Sequence, residues 1–532
     1  MFVRNVSRVA KYGLYGSVVI AGGSFAAVKY NKIEYDGIAI VRFTRTAYTA
    51  LQIGRTYSNM LYSKEWDTTS AEYTQVKSEA HQIAAEKLLE LCKVNKGVYI
   101  KVGQHVGALQ YLLPNEYVKT LSILHKDAPR NNVEELYEVI KDDLKKDLFV
   151  EFDPEPLGTA SLAQVHRATL KDGTEVAVKV QHSFVRNNTT IDLRWMEFII
   201  NVMSRVFPDF QMQWLVEETK KNIALELNFI QEGKNAERVS ELFKNYSWLK
   251  VPKIFWEYST ERVLVMEYVT GGQVNDIKYI DKHNISRSDV CTKLGDLYSH
   301  MIFVTGFVHS DPHPGNILLR KDPNDKEVTI YLLDHGLYAQ LTEQFRFNYS
   351  KLWLSIIARD KSKMKFYAES LGISGDLYGL FACMVTGRPW FVIEKGIDKT
   401  KRSSAEKDEF QNFLPNFLHS VTQCLEHVDR QALLVLKTND LIRSIEHALG
   451  MQDKMCGFMI MSKCCTEIVH KVDYKVTSRA VKKSRLFDSP PFFFDIFIVL
   501  FTKNERFILN AAKEHNIQVN FNYCTTQNVN YY

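Results

Sequence analysis

The sequence predicts an α+β protein: a helical N-terminal extension, then a strand-rich lobe, then a helical lobe. Three observations carry this. Over residues 71–113, Leu88, Leu91, Val94 and Val98 recur at three- and four-residue steps until Pro114, and VEELYEVIKDDLKKDL at 133–148 is a second helical stretch. From residue 157 the period changes, and LAQVHRATL and EVAVKVQ flank a KDGT turn whose Asp172-Gly173 pair is a hairpin signature. After further strands expected at VPKIFW and ERVLVMEYV, residues 342–470 read mostly as helix. Asp153, Pro154, Glu155, Pro156 and Gly158 mark a break. The expected organisation is therefore a basic targeting or membrane segment at 1–33, a helical extension at 34–150, a mixed domain at 151–400 and a helical C-terminal region at 401–532.

At 532 residues the chain exceeds one ordinary domain, and 45% hydrophobic content supports a sizeable core. Its net charge of +5 is localised: Arg4, Arg8, Lys11, Lys29 and Lys32 are the only charges before Glu34, and the remaining basic residues balance the 62 acidic ones. A nucleic-acid binder with basic residues throughout would not look like this. The eight cysteines are scattered without a C-x-x-C pair, which argues against a zinc site or a disulfide framework.

The acid-free, basic, serine-containing first 33 residues have the composition of a mitochondrial targeting segment. They include YGLYGSVVIAGGSFAAV at 12–28, uncharged but short for a membrane span, which needs about 20 apolar residues. A secretory signal peptide is the competing reading, and the cysteine pattern favours mitochondria. PPFFFDIFIVLF at 490–501 is too short to cross a bilayer and reads as a packed or membrane-surface element.

HSDPHPGN at 309–316 and LLDHGLY at 332–338 carry the chemistry. A metal cage of His309, Asp311 and His313 lacks the helical spacing that places two imidazoles on one face, and a solvated Pro/Gly turn is the bland alternative. Phosphoryl transfer uses more of the residues. Protein kinases carry H-R-D-x-x-x-x-N and D-F-G, and Asp311, Asn316 and Asp334 keep that order and spacing, as catalytic base and two metal ligands. Two hard oxygen donors suit Mg²⁺, with Mn²⁺ as the alternative. Lys179 in EVAVKVQ corresponds to the kinase strand lysine that neutralises the α/β-phosphates. Before it, PLGTASLAQVH stands in place of the glycine-rich loop, with Gly158, Ala160, Ser161 and Ala163 as phosphate-facing candidates. Met266, Glu267 and Val269 fall where an adenine-binding hinge would lie. His309 and His313 read as braces of the catalytic loop. No A-P-E follows, and a helical run near Thr342 begins within about eight residues of Asp334, so no peptide platform is expected.

HSDPHPGN resembles the H-x-D-x-H-P-G-N signature of the UbiB/AarF-domain kinase-like family. KVGQ at 101–104 resembles its K-x-G-Q motif, PLGTASLAQVH its alanine-containing loop, and ELNFIQEGKNA at 226–236 its E-x-D segment; together these span roughly residues 75–400. The resemblance implies an atypical two-lobed protein-kinase-like fold whose N-terminal helical extension packs over the active-site cleft. It further implies a Lys179–Glu232 ion pair and a gate in which Glu226 faces Lys101 with Gln104 nearby. Asn228 replaces the motif's usual aspartate, and His335 stands where D-F-G has phenylalanine. The implied activity is that of an ATP- and Mg²⁺-dependent ATPase or lipid/small-molecule kinase of mitochondrial membrane and lipid homeostasis. Its expected partners are ATP, a membrane lipid or lipid-like molecule, the mitochondrial inner membrane and other proteins, but no nucleic acid. The alternative is a pseudokinase scaffold that senses nucleotide and regulates partner proteins.

Overall fold

The computed structural model of the chain describes residues 39–67, 70–108, 114–125, 132–145, 148–206, 213–310, 313–322, 325, 327–373, 377–395, 428–451 and 457–469. The segments read at 1–33 and 490–501 lie outside them. The extension opens with α1 (Ala39–Leu61) and α2 (Ala71–Asn95), the latter capped by Ser70, whose Oγ accepts from the Tyr73 amide at 3.1 Å. The helix expected through 113 breaks at Lys96 and Gly97, both at positive φ (54° and 53°), and restarts as α3 (Val98–Ala108). The break lets Tyr99, Ile100 and Val106 pack on Leu91, Cys92, Leu121 and Leu124. Close approach to α4 (Asn115–Leu121) requires glycine, because a Cβ on Gly107 would lie 3.1 Å from the backbone of Leu121 and Ser122.

Next come α5 (Val133–Leu144), which stops at left-handed Lys145 rather than at 148, and the strands β1 (Phe149–Thr159), β2 (Ala163–Leu170) and β3 (Glu175–Gln181). The β2–β3 hairpin forms as expected: Gly173 has φ of 84°, and Asp172 Oδ1 accepts from the Thr174 amide at 2.9 Å. The break read at 153–158 instead lies inside β1. This is an edge strand, where proline is tolerated, and its register shifts on either side of Pro156. Between β3 and the hinge run α6 (Ser183–Val206), α7 (Gln213–Glu226), α8 (Phe229–Leu242) and β4 (Leu249–Lys250). VPKIFW forms only an Ile254–Met266 bridge before a 3₁₀ turn at Trp256–Tyr258, and β5 (Val263–Glu267) completes an antiparallel sheet of order β1-β2-β3-β5. Leu136, Val139 and Ile140 of α5 cover one sheet face against Val176, Val178, Val180, Val263 and Val265, so this lobe takes a core helix from before residue 151.

The second lobe contains β6 (Gly272–Gln273), α9 (Ile277–Lys282), α10 (Arg287–Ser299), β7 (Phe307–His309), β8 (Ile317–Arg320), β9 (Thr329–Leu332) and β10 (Tyr338–Gln340). Its sheets run β4-β9-β8-β6 and β10-β7. The helices α11 (Glu343–Ile357), α12 (Lys361–Glu369), α13 (Tyr378–Thr386), α14 (Trp390–Lys395) and α15 (Arg430–Ala448), with a last helix over 457–469, share one core with these strands. The whole is a two-lobed, kinase-like α+β fold whose N-terminal helices reach the cleft.

Candidate active site

Lys179 sits mid-strand on β3, between Val165 of β2 and Leu264 of β5. Its Nζ lies 2.6 Å from Glu232 Oε1 and 4.0 Å from Asp334 Oδ1. Both ends of the shorter pair are buried, whereas the Asp334 side chain is 40% exposed. Burial works against the charge on Lys179, but the Asp334 and Glu232 carboxylates outweigh it and raise the lysine above its ordinary value. Desolvation also works to raise Asp334; Lys179, His309, the Gly336 amide and Lys101 together bring it down to about 2. Burial pushes Glu232 up.

Glu232 owes its place to the first turns of α8. Asn228 caps that helix, its Oδ1 accepting from the Gln231 amide at 3.2 Å, and asparagine caps as well as aspartate does. Gly233 gives room for the Trp256 indole, which a Cβ would meet at 2.6 Å. Asn235, one turn after Gln231, donates from Nδ2 to the His335 carbonyl at 2.9 Å. Thus α8 grips both the lysine and the D-H-G loop. Asn235 was not singled out from the sequence, although it shares a helix face with Glu232 at i, i+3.

The D-H-G loop is braced on all sides. His309 Nε2 donates to the Asp334 carbonyl at 2.9 Å, and Asp334 Oδ1 accepts from the Gly336 amide at 2.9 Å. His335 is buried and stacked on Tyr338; its Nε2 donates to Leu332 O at 3.1 Å, leaving Nδ1 to accept from the Tyr338 hydroxyl at 3.0 Å. Burial pushes the His335 imidazole down to about 4, so it is neutral at pH 7. His313 Nδ1 accepts from the Gly315 amide at 3.0 Å, within the turn that carries Asn316. Both motif histidines therefore hold backbone, and among the described residues no three or more His, Cys, Asp or Glu side chains form a metal cage.

Asn316 and Asp334 are brought together by the β8–β9 hairpin. Ile317 pairs with Leu332, and the Leu333 amide donates to Asn316 O at 3.0 Å. Asp311 lies outside the described residues. In the loop before β2, the Ala160 amide is spent on Ala163 O at 2.8 Å and the His182 amide on Leu162 O at 3.0 Å, fixing a tight turn. Gly158 and Ala160 are exposed, while Ser161 and Ala163 are buried. Met266 is buried on β5; Glu267 is exposed beyond it, its amide donating to Lys253 O at 2.8 Å, and Val269 is half-buried. On the extension, Lys101 Nζ meets Glu226 Oε2 at 2.8 Å in a largely buried pair, and Gln104 Nε2 donates to Leu124 O at 2.9 Å. Lys101, Glu226, Lys179, Glu232 and Asp334 form one electrostatic group of two cations and three carboxylates. Its surplus negative charge lies at the open end, which suits a divalent cation and its waters.

The ABC1 atypical kinase-like domain signature matches residues 123–368. The chain is 54% identical over 463 residues to AarF domain-containing kinase 1 of Drosophila melanogaster, covering 86% of this chain and 89% of that one. It is 47% identical over 461 residues to AarF domain-containing protein kinase 1 of Mus musculus, covering 86% and 87%. It is 33% identical over 502 residues to the ABC1 family protein MCP2 homolog of Schizosaccharomyces pombe, covering 91% and 89%.

Proposed function

The chain belongs to the ABC1/AarF atypical kinase-like family, and on that footing we propose that it binds ATP with Mg²⁺ between its lobes and turns it over as an ATPase or a lipid or small-molecule kinase. One observation carries the reading: Lys179 lies 2.6 Å from Glu232 and 4.0 Å from Asp334, a lysine shared between a helix glutamate and an ionised, half-open aspartate. Bound Mg²⁺ (or Mn²⁺) would neutralise charge on the β- and γ-phosphates. Asp334 and Asn316 would hold it, and the low pKa of Asp334 keeps that carboxylate ready without competition from protons.

Lys179, held by Glu232, faces the α/β-phosphates. The turn at Gly158, Ala160, Ser161 and Ala163 borders them, and Met266, Glu267 and Val269 border the adenine. Asp311 accepts the proton of the attacking hydroxyl or water. Only β10 separates the D-H-G loop from α11 at Glu343, leaving little chain on which a peptide substrate could dock. The Lys101–Glu226 pair and Gln104 gate the same cleft, which favours a small or lipid-like acceptor over a protein chain. In this reading residues 1–33 attach the protein to a mitochondrial membrane, 34–150 form the gating extension, 151–400 the kinase-like domain and 401–532 the helical C-terminal region.

The buried Lys101–Glu226 pair, close enough to influence Asp334, also suits a second reading, a nucleotide-sensing scaffold without turnover. Asp311→Asn and Asp334→Asn separate the two. An enzyme loses Mg-ATP hydrolysis, measured with and without lipid vesicles, by both substitutions. A scaffold shows no turnover even in the wild type and loses nucleotide binding only with Asp334→Asn.

A further inference from the structure

The two buried residues of helix α1 are polar, and three of its large apolar side chains are exposed. Its buried face is polar: Arg42 is 2% exposed and makes Nε–Oδ1 and Nη2–Oδ2 bonds to Asp192 of α6 at 3.0 and 2.5 Å, and Thr46 shares a hydrogen with the Tyr99 hydroxyl at 2.7 Å. Its outward face is apolar, with Ile40 56%, Tyr48 61% and Leu51 44% exposed, and exposed Arg55 beside them. At about 100° per residue these four positions fall within an arc of roughly 80°, opposite Arg42 and Thr46. A surface helix ordinarily shows the reverse pattern. The apolar character continues sideways onto α6: Phe43 lies 4.1 Å, ring to ring, from Trp195, which edges onto Phe198, itself 54% exposed.

Charge and chain continuity identify the occupant. Arg42 is spent on Asp192 and Lys64 on Glu72, which leaves exposed Arg55 on the outward face, and α1 carries no carboxylate to meet it in a second copy packed face to face. The uncharged stretch 12–28 is joined to α1 by residues 29–38, a tether that reaches at most about 35 Å. Among the described residues no helix is long and apolar enough to span a membrane. We propose that the outward face of α1, with Phe198 of α6, lies flat on a membrane surface carrying anionic headgroups, its apolar side chains among the acyl chains and Arg55 at the phosphates. The proposal rests on the membrane attachment read for residues 1–33 and not on the nucleotide chemistry. It fixes the orientation of the extension: through the Arg42–Asp192 pair and the bond from Arg42 Nη1 to Asn95 O at 2.5 Å, the membrane-facing helix connects to the segment from which α3 and Lys101 start.

The test uses the full chain with the photoreactive residue benzoylphenylalanine replacing Tyr48, or replacing Phe366 of α12 as an equally exposed control. Each is irradiated on phosphatidylcholine vesicles with or without phosphatidylglycerol. The expected result is lipid adducts at 48 at least about tenfold above those at 366, falling severalfold on neutral vesicles. Equal labelling at both positions while the chain still floats with vesicles overturns the surface but keeps the N-terminal attachment; failure to float overturns both. A cross-link between two chains would instead assign the face to a second copy, and equal yields on neutral vesicles would overturn the anionic preference.

Discussion

Glu232→Gln tests the electrostatics at the centre of the site. At an effective dielectric of about 20, charges 2.6 Å apart attract by roughly 6 kcal/mol, and charges 4.0 Å apart by roughly 4 kcal/mol. The exposure of Asp334 lowers the second figure further through solvent screening. Removing Glu232 also removes the cost of burying it, and Lys179 keeps a second carboxylate within reach. The net loss should therefore be about 2–3 kcal/mol, at or below the roughly 3–5 kcal/mol of a stranded buried charge. Urea unfolding followed by tryptophan fluorescence measures it, and Lys179→Met alone and in combination completes a double-mutant cycle. Because the freed lysine swings onto Asp334, the variant should also need more Mg²⁺ for nucleotide binding. Additive single and double variants, or an unchanged Mg²⁺ requirement, would refute this description of the charge group.

Substitutions at three further positions probe the surroundings. Gly103→Ala would drive a Cβ into the Leu124 side chain and to 3.1 Å from Cys92 Sγ; it should cost about 1–3 kcal/mol in urea unfolding, with isosteric changes at exposed Lys93 as the neutral comparison. Asn228→Asp should leave unfolding free energy within about 0.5 kcal/mol of wild type while Asn228→Ala costs about 1 kcal/mol, since the side chain caps α8; an equal loss from both would contradict the capping role. His335 is held neutral by burial, with its pKa lowered to about 4 from the ordinary 6.5. The unfolded chain therefore binds more protons between these values, and the contribution present above pH 6.5 is lost as pH falls towards 4, by up to about 1.4 kcal/mol per pH unit. In His335→Phe the fall of stability over that window should be shallower by this amount, and an unchanged slope would show that the imidazole is not held neutral.

What could be read from the sequence followed local rules. The Asp172-Gly173 turn between β-branched runs forecast β2 and β3, and with them the strand position of Lys179. The order of HSDPHPGN and D-H-G placed Asn316 and Asp334 in one site, and the β8–β9 pairing sets Asn316 beside Leu333, the residue before Asp334. The strand β1 was hidden because Pro154, Pro156 and Gly158 are strand breakers elsewhere but tolerable on an irregular edge. The break at Lys96 and Gly97 carried a local signal, a glycine after a lysine-bearing last turn, but the apolar spacing runs on across it into α3 and masked it. The Arg42–Asp192 pair joins residues 150 positions apart, beyond the reach of any periodicity. In the sequence Asn228 stood only as a departure from the motif's aspartate, and its structural role as a helix cap became visible only with the start of α8 in place.

The central claim, a Mg²⁺-dependent nucleotide site built on Asp334, is tested most directly by thermal unfolding of residues 33–532 with ATP, with and without Mg²⁺, beside Asp334→Asn. Ligand bound only to the folded state at a hundred times its Kd adds about 2.7 kcal/mol, visible as a raised Tm. The account predicts a Mg²⁺-dependent rise in the wild type that is lost in Asp334→Asn. A folded wild type with no rise, or an equal rise in the variant, would contradict it.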